Sequence, residues 1–234
     1  MHDIAASFAL AYGLATGGDP ELWGIVRLSL AVSLASAALA CAMGLPAGAL
    51  VAVSRFPGRR AVVVVMNALL GLPSVVVGLV FYLLLSRAGP LGEWGILFTP
   101  PAIVLAQTFL VLPVVAALSR QFVEDAWNEY REQLTSLGVK PLRAVPTLLW
   151  DLRYSLLTVV LVGLGRAASE VGAVMIVGGN IAGVTRVMTT AIALETEKGD
   201  LPLALALGMV LLSMVLALNA MAHLVREWSM KRHG

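Results

Sequence analysis

Two ionisable side chains, Arg166 and Glu170, stand four residues apart inside a long apolar run, residues 154–177. If that run is one helix, both lie on the same face and can reach each other. Arg166 would then sit ~18 Å into a hydrocarbon layer ~30 Å thick. An unpaired charge at that depth costs ~2.5–3.5 kcal/mol on insertion scales. Pairing lowers the cost, but two leucines would avoid it, so the pair needs a reason. One reason is orientation, the two charges fixing the helix against a neighbour or a second subunit. The other is a place in a path or gate, where Arg166 offers positive charge to an anion and Glu170 opposes it.

Other chemistry is thinly represented. The histidines His2, His223 and His233 lie near the termini and Cys41 is the single cysteine, so no metal-ligand spacing exists and no cofactor is expected. There is no Gly-x4-Gly-Lys-Ser/Thr loop to cradle a nucleotide, no His-Glu-x-x-His and no Gly-x-Ser-x-Gly. The chain is therefore not expected to be an enzyme in its own right.

Composition decides the environment in which these residues sit. Of 234 residues, 59% are hydrophobic and 13% charged, with mean hydropathy +0.89. Soluble domains run at about 45–50% apolar and about 25% charged. The apolar runs are continuous rather than alternating, which argues for helices and against a barrel. The expectation is an all-α, polytopic membrane protein. The net charge of +2 gives no reason to invoke nucleic acid.

Five spans are expected, at about 22–53, 61–86, 101–118, 154–177 and 201–225, within a single membrane domain over 1–234. Asp19-Pro20 supplies a start signal for the first, Asp as cap and Pro at the first helical position. Gly44 and Gly48 form a small-xxx-small pair, which either lets a second helix approach or reflects ordinary packing in a Gly/Ala-rich helix. Pro73 kinks the second span, and the kink either lines a path or serves packing alone. Residues 4–15 read as a short interfacial helix; without a preceding Lys or Arg they do not resemble a signal peptide. Residues 178–200 read as a polar loop.

Charge orients the spans. The turn 54–60, the segment 120–153 and the tail after 225 carry eleven Lys and Arg, whereas residues 1–21, 87–99 and 178–200 on the opposite side carry three. The positive-inside rule puts the N-terminus outside, the C-terminus and segment 120–153 in the cytoplasm.

Segment 120–153 carries a pattern. Glu132-Gln133-Leu134-Thr135-Ser136-Leu137-Gly138-Val139 resembles the coupling loop of ABC importer permeases, Glu-Ala-Ala, three residues, then Gly. Glu132 and Gly138 match at that spacing; Gln133 and Leu134 replace the alanines, and Asp151 stands where a closing Pro would fall. A second stretch narrows the resemblance. Gly165 to Ala173, Val177-Gly178-Gly179-Asn180-Ile181 and Thr185 to Thr190 are similar to oxyanion permeases for molybdate, sulfate and tungstate, most of all the tungstate type.

The resemblance implies a permease subunit in the cell (inner) membrane. It implies a homodimer, two ATP-binding subunits on the cytoplasmic side, and a periplasmic or extracellular oxyanion-binding protein. Glu132, Gln133, Leu134, Ser136, Leu137, Gly138 and Val139 would form the ATPase-coupling element, a short helix lying across the membrane surface. The bland alternative for 120–153 is a solvated loop, its five basic residues balanced by five acidic ones. Molybdate or sulfate is the alternative cargo. A secondary transporter or channel, or an anchoring subunit, is the alternative class.

Overall fold

The computed structural model describes residues 12, 13 and 17–233, with side chains for 12, 13, 17–221 and 224. The expected interfacial helix over 4–15 lies outside the described residues, apart from its two-residue fragment at 12 and 13. Among the described residues the structure is helical throughout. The helices are α1 (Pro20–Val53), α2 (Arg59–Leu69), α3 (Ser74–Leu85), α4 (Pro100–Ser136), α5 (Pro141–Asp151), α6 (Arg153–Ala168), α7 (Gly172–Gly178), α8 (Met188–Lys198) and α9 (Leu201–His233), with one 3-10 turn at Gly92–Trp94.

Helices α1, α4 and the Leu201–Met221 part of α9 are each long and apolar enough to cross a membrane. Two further pairs qualify together but are sharply bent, α2 with α3 by 98° and α5 with α6 by 78°. The chain is thus an all-α polytopic protein with three crossing helices, or up to five if each bent pair is one crossing.

Several span boundaries are corrected. The second expected span, 61–86, is two helices meeting nearly at right angles at residues 70–73. Pro73 cannot donate a backbone hydrogen bond and disfavours helical geometry at Leu72, so the helix stops and restarts. The third, 101–118, does not end there: α4 continues to Ser136 despite Pro113. The fourth, 154–177, is interrupted after Ala168. Residues 178–200 are not all loop, because the 11-residue helix α8 lies within them. The start of α1 is as expected: Asp19 Oδ1 accepts from the amides of Glu21 (2.8 Å) and Leu22 (3.1 Å).

The chain falls into two compact units that interleave in sequence, since α1, α4 and α9 each contribute to both. The first comprises Met1–Ala35, Pro73–Gln107 and Ala167–Leu218; the second Ser36–Leu72, Thr108–Arg166 and Asn219–Gly234.

Within the second unit, α1 and α4 touch backbone to backbone. A Cβ on Gly44 would lie 2.9 Å from Val115 Cγ1, and one on Gly48 only 2.2 Å from the Ala116 carbonyl oxygen. The glycine pair is therefore a close-approach site, because in lipid it is van der Waals contact, not water exclusion, that draws helices together. Beyond it, α5 is seated on α1 and α4 through Ala49, Val53, Val123, Trp127, Val145 and Leu148. Within the first unit α3 and α7 pack just as tightly. A Cβ on Gly78 would lie 2.8 Å from Ala173 Cα, and one on Gly172 would lie 2.8 Å from Ser74 Oγ.

Candidate functional site

Two places concentrate polar chemistry, the helix break at 169–171 in the first unit and the turn at 137–140 in the second.

The break reshapes the expectation for Arg166 and Glu170. They do not share an unbroken helical face, because α6 ends at Ala168 and Glu170 precedes α7. Arg166 stands in the last turn of α6, where a cation complements the partial negative charge of a helix C-terminus. Glu170, 3% exposed, stands before the first turn of α7, where an anion is favoured, and its Oε1 accepts from the Ala173 amide at 3.3 Å. The interruption has two helix ends, and each has a charge of the matching sign. This gives the pair a physical reason that a continuous helix lacked.

An interruption also frees backbone carbonyls, which lipid cannot solvate. Two buried side chains meet them. Gln107 Nε2 donates to the Ala167 carbonyl at 3.0 Å, and Thr189 Oγ1 donates to the Glu170 carbonyl at 2.8 Å. The sequence shows Gln107 only as an isolated polar residue in an apolar helix; a carboxamide at such a place is itself the signal of a nearby backbone defect.

The loop after α7 is wound around another buried hydroxyl. Thr185 Oγ1 accepts from the Ile181 amide (2.9 Å) and donates to the Gly178 carbonyl (2.6 Å). Gly179 and Asn180 take successive left-handed conformations, φ 69° and 50°. Glycine and asparagine tolerate that region best, which explains Gly179-Asn180 in chemical terms. Asn180 Nδ2 donates to the Thr190 carbonyl at 3.4 Å. Arg186 closes the loop beside a cavity of about 260 Å³, with Glu21 Oε1 at 3.9 Å and Glu195 Oε1 at 4.0 Å.

At the other place, residues 132–139 are the end of α4 and the turn beyond it. This corrects one expectation, a separate short helix: the segment closes α4, and Glu132 lies near that helix's C-terminus. Its charge therefore gains nothing from the dipole. Glu132, Gln133, Ser136, Leu137 and Gly138 are exposed, Leu137 by 78%. Leu134 and Val139 are half-buried against the cluster that seats α5.

Gly138 has φ 74°. Its amide donates to the Thr135 carbonyl (3.0 Å) and the Val139 amide to the Leu134 carbonyl (2.9 Å). This is the paired closure of a Schellman motif, with its usual apolar contact formed by Leu134 and Val139 against the same cluster. Pro141 then takes the first position of α5. The Glu-x5-Gly spacing thus marks a helix stop that turns the chain back on itself and exposes the tip. A β-branched residue at this φ costs about 1–2 kcal/mol, so Gly138→Val should loosen the turn. Limited proteolysis at 137–140 should become measurably faster, while Gly13→Val or Gly95→Ala outside this turn should leave that rate unchanged.

A third group braces the neighbouring turn. The Arg59 guanidinium donates to the carbonyls of Val51 (Nε, 3.0 Å) and Ala52 (Nη2, 3.4 Å) at the end of α1, and pairs with Glu124 Oε1 at 2.7 Å. Arg120 pairs with the other Glu124 oxygen. No group of three or more His, Cys, Asp and Glu among the described residues could hold a metal.

A family model for the inner membrane component of binding-protein-dependent transport systems matches residues 44–232. The chain belongs to that family. This permease is 40% identical over 227 residues to the tungstate uptake system permease protein TupB of Peptoclostridium acidaminophilum, covering 97% of this chain and 100% of the relative. It is 41% identical over 172 residues to TupB of Campylobacter jejuni, covering 74% and 72%. The sulfate transport system permease protein CysW of Synechocystis is more distant, 32% identical over 219 residues, covering 89% and 76%. The permease is accordingly a multi-pass inner membrane subunit of an ABC transporter, and it works with ATP-binding subunits and a substrate-binding protein.

Proposed function

We propose that this permease imports tungstate, as one half of a homodimer that carries two ATP-binding subunits on the cytoplasmic side and receives the oxyanion from an external binding protein. The observation that carries the cargo is the 40% identity to a tungstate permease along nearly the whole of both chains. The N-terminus lies outside and the C-terminus inside, a reading supported by the distribution of Lys and Arg. Hydrolysis of ATP belongs to the partner chains.

The tip at 132–139 and α5 form the coupling element. Support comes from the way α5 rests on α1 and α4 through buried side chains: a push on the exposed tip moves both long helices rather than a slack loop. Arg166, Glu170 and the break between α6 and α7 are the gate candidates, since discontinuous helices border substrate paths in many transporters.

Proteoliposomes holding the permease, its ATP-binding subunits and the loaded binding protein should accumulate tungstate when ATP is supplied. Preferential uptake of sulfate or molybdate would overturn the cargo, and uptake without ATP would overturn the mechanism. Gly138→Val and Glu132→Lys variants should insert normally yet retain less ATP-binding subunit on co-purification. Normal transport by both would remove this segment as the coupling element.

A further inference from the structure

In the second unit an open recess of about 640 Å³ lies between the turn that follows α1 and the start of α5. Three cations rim it, Arg55 from the turn, Lys140 just before α5 and Arg143 in its first turn. Its apolar walls include Val53, Phe56 (40% exposed) and Leu142 (61% exposed). Nearby Arg59 and Arg120 both share Glu124. Among the described residues, Arg55, Lys140 and Arg143 have no such carboxylate.

The sequence indicates the surroundings of this recess. The apolar run of α1 ends at Val53 and the cations Arg55, Arg59 and Arg60 follow at once, the pattern that marks the cytoplasmic end of a span. The Arg153 guanidinium lies over the rings of Trp150 (5.1 Å) and Tyr154 (4.5 Å) at the junction of α5 and α6. Aromatic rings with cations at helix ends are the usual furniture of the membrane–water boundary.

We propose that the recess binds an anionic phospholipid, its phosphate among Arg55, Lys140 and Arg143 and its first acyl carbons against Phe56 and Leu142. A basic pocket between helices at the cytoplasmic boundary suits that ligand, because the head meets the cations and the tail meets the apolar wall. A protein carboxylate would satisfy the rim and leave the wall bare. Three cations near the surface together favour an anionic lipid by roughly a hundredfold. Since the cations come from both the α1 turn and α5, the lipid would tie the start of α5 to the end of α1. The inference does not depend on which anion is transported.

The test uses the transporter complex purified from membranes with its partner subunits, exchanged into equimolar phosphatidylglycerol and phosphatidylcholine and then stripped with detergent. Native mass spectrometry counts the lipid retained. The wild-type permease should keep phosphatidylglycerol in preference to phosphatidylcholine. The Arg55→Gln/Lys140→Gln/Arg143→Gln variant should lose at least about tenfold of that retention, and Phe56→Ser should weaken it further. A control with the same charge change elsewhere, Arg87→Gln/Arg131→Gln/Lys198→Gln, should retain lipid as the wild type does. Equal retention by the recess variant, equal loss by the control, or no preference for phosphatidylglycerol would overturn the proposal. So would a recess variant that keeps its lipid but sheds the ATP-binding subunit, which would make the recess a protein-docking surface.

Discussion

Alanine should destabilise the permease at Gly48 and stabilise it at Gly24, although both residues lie in α1. A Cβ at Gly48 would fall 2.2 Å from the Ala116 carbonyl oxygen, 2.8 Å from the Arg120 amide nitrogen and 3.0 Å from Ser119 Cβ. Two of those atoms are backbone, so no rotamer change relieves the clash and α1 must part from α4. Forced overpacking of this kind costs about 1–3 kcal/mol, and the backbone contact puts Gly48→Ala at the upper end. Separation of α1 from α4 would also loosen the adjacent cluster on which α5 rests. At Gly24 nothing lies within 4 Å. Alanine there adds helix propensity worth about 0.5–1 kcal/mol. The check is the thermal midpoint of each variant in detergent against the wild type. A Gly48→Ala variant as stable as the wild type would mean that α1 and α4 are not in contact at this point.

The second large effect is expected at Glu170. Glu170→Leu removes the acceptor for the Ala173 amide and the negative charge before α7, at a position only 3% exposed. Loss of a side-chain cap costs about 0.5–2 kcal/mol, and loss of a favourable charge at a partly buried helix end up to ~2 kcal/mol. Relief from burying a carboxylate offsets part of this. The net expectation is about 2 kcal/mol against the geometry of the break, and transport slowed more than tenfold with insertion intact. Glu170→Gln keeps the acceptor and gives up the charge, so its transport should fall between that of the wild type and Glu170→Leu. Uptake assays on matched amounts of assembled complex decide it. Glu170→Leu transporting at the wild-type rate would show that the break does not need the carboxylate and would take Glu170 out of the gate.

Much of this permease was legible before any coordinate. Composition and run length determine that it is helical and membrane-embedded, because nothing else buries so many apolar residues in so few interruptions. Asp19-Pro20 marks the start of α1 by local hydrogen bonding, which needs no tertiary partner. The Glu132 and Gly138 spacing marks the proposed coupling segment by resemblance, and Gly138 is a residue that suits a left-handed turn. Pro73 announces a kink in its helix, since a missing donor acts on its own chain, though not the near right angle between α2 and α3.

What the tertiary structure decided is where helices end without a proline, and which glycines matter. Nothing local stops α6 at Ala168: Leu164-Gly165-Arg166-Ala167-Ala168 reads as helix and so does Val171 onward. The break is sustained by Gln107 and Thr189, 60 residues before Ala167 and 19 after Glu170, which donate to the carbonyls of those two residues. Likewise α4 runs to Ser136 because α1 and α5 cover its far half with Val53 and Val145, where polarity alone suggested a loop. The spacing of Gly44 and Gly48 leaves close approach and ordinary packing open, and only the neighbouring α4, with Val115 beside one and the Ala116 carbonyl beside the other, shows that neither has room for a methyl group. A sequence records each residue's own preferences. The satisfaction of a buried carbonyl, or the lack of room for one methyl group, depends on atoms brought from far along the chain.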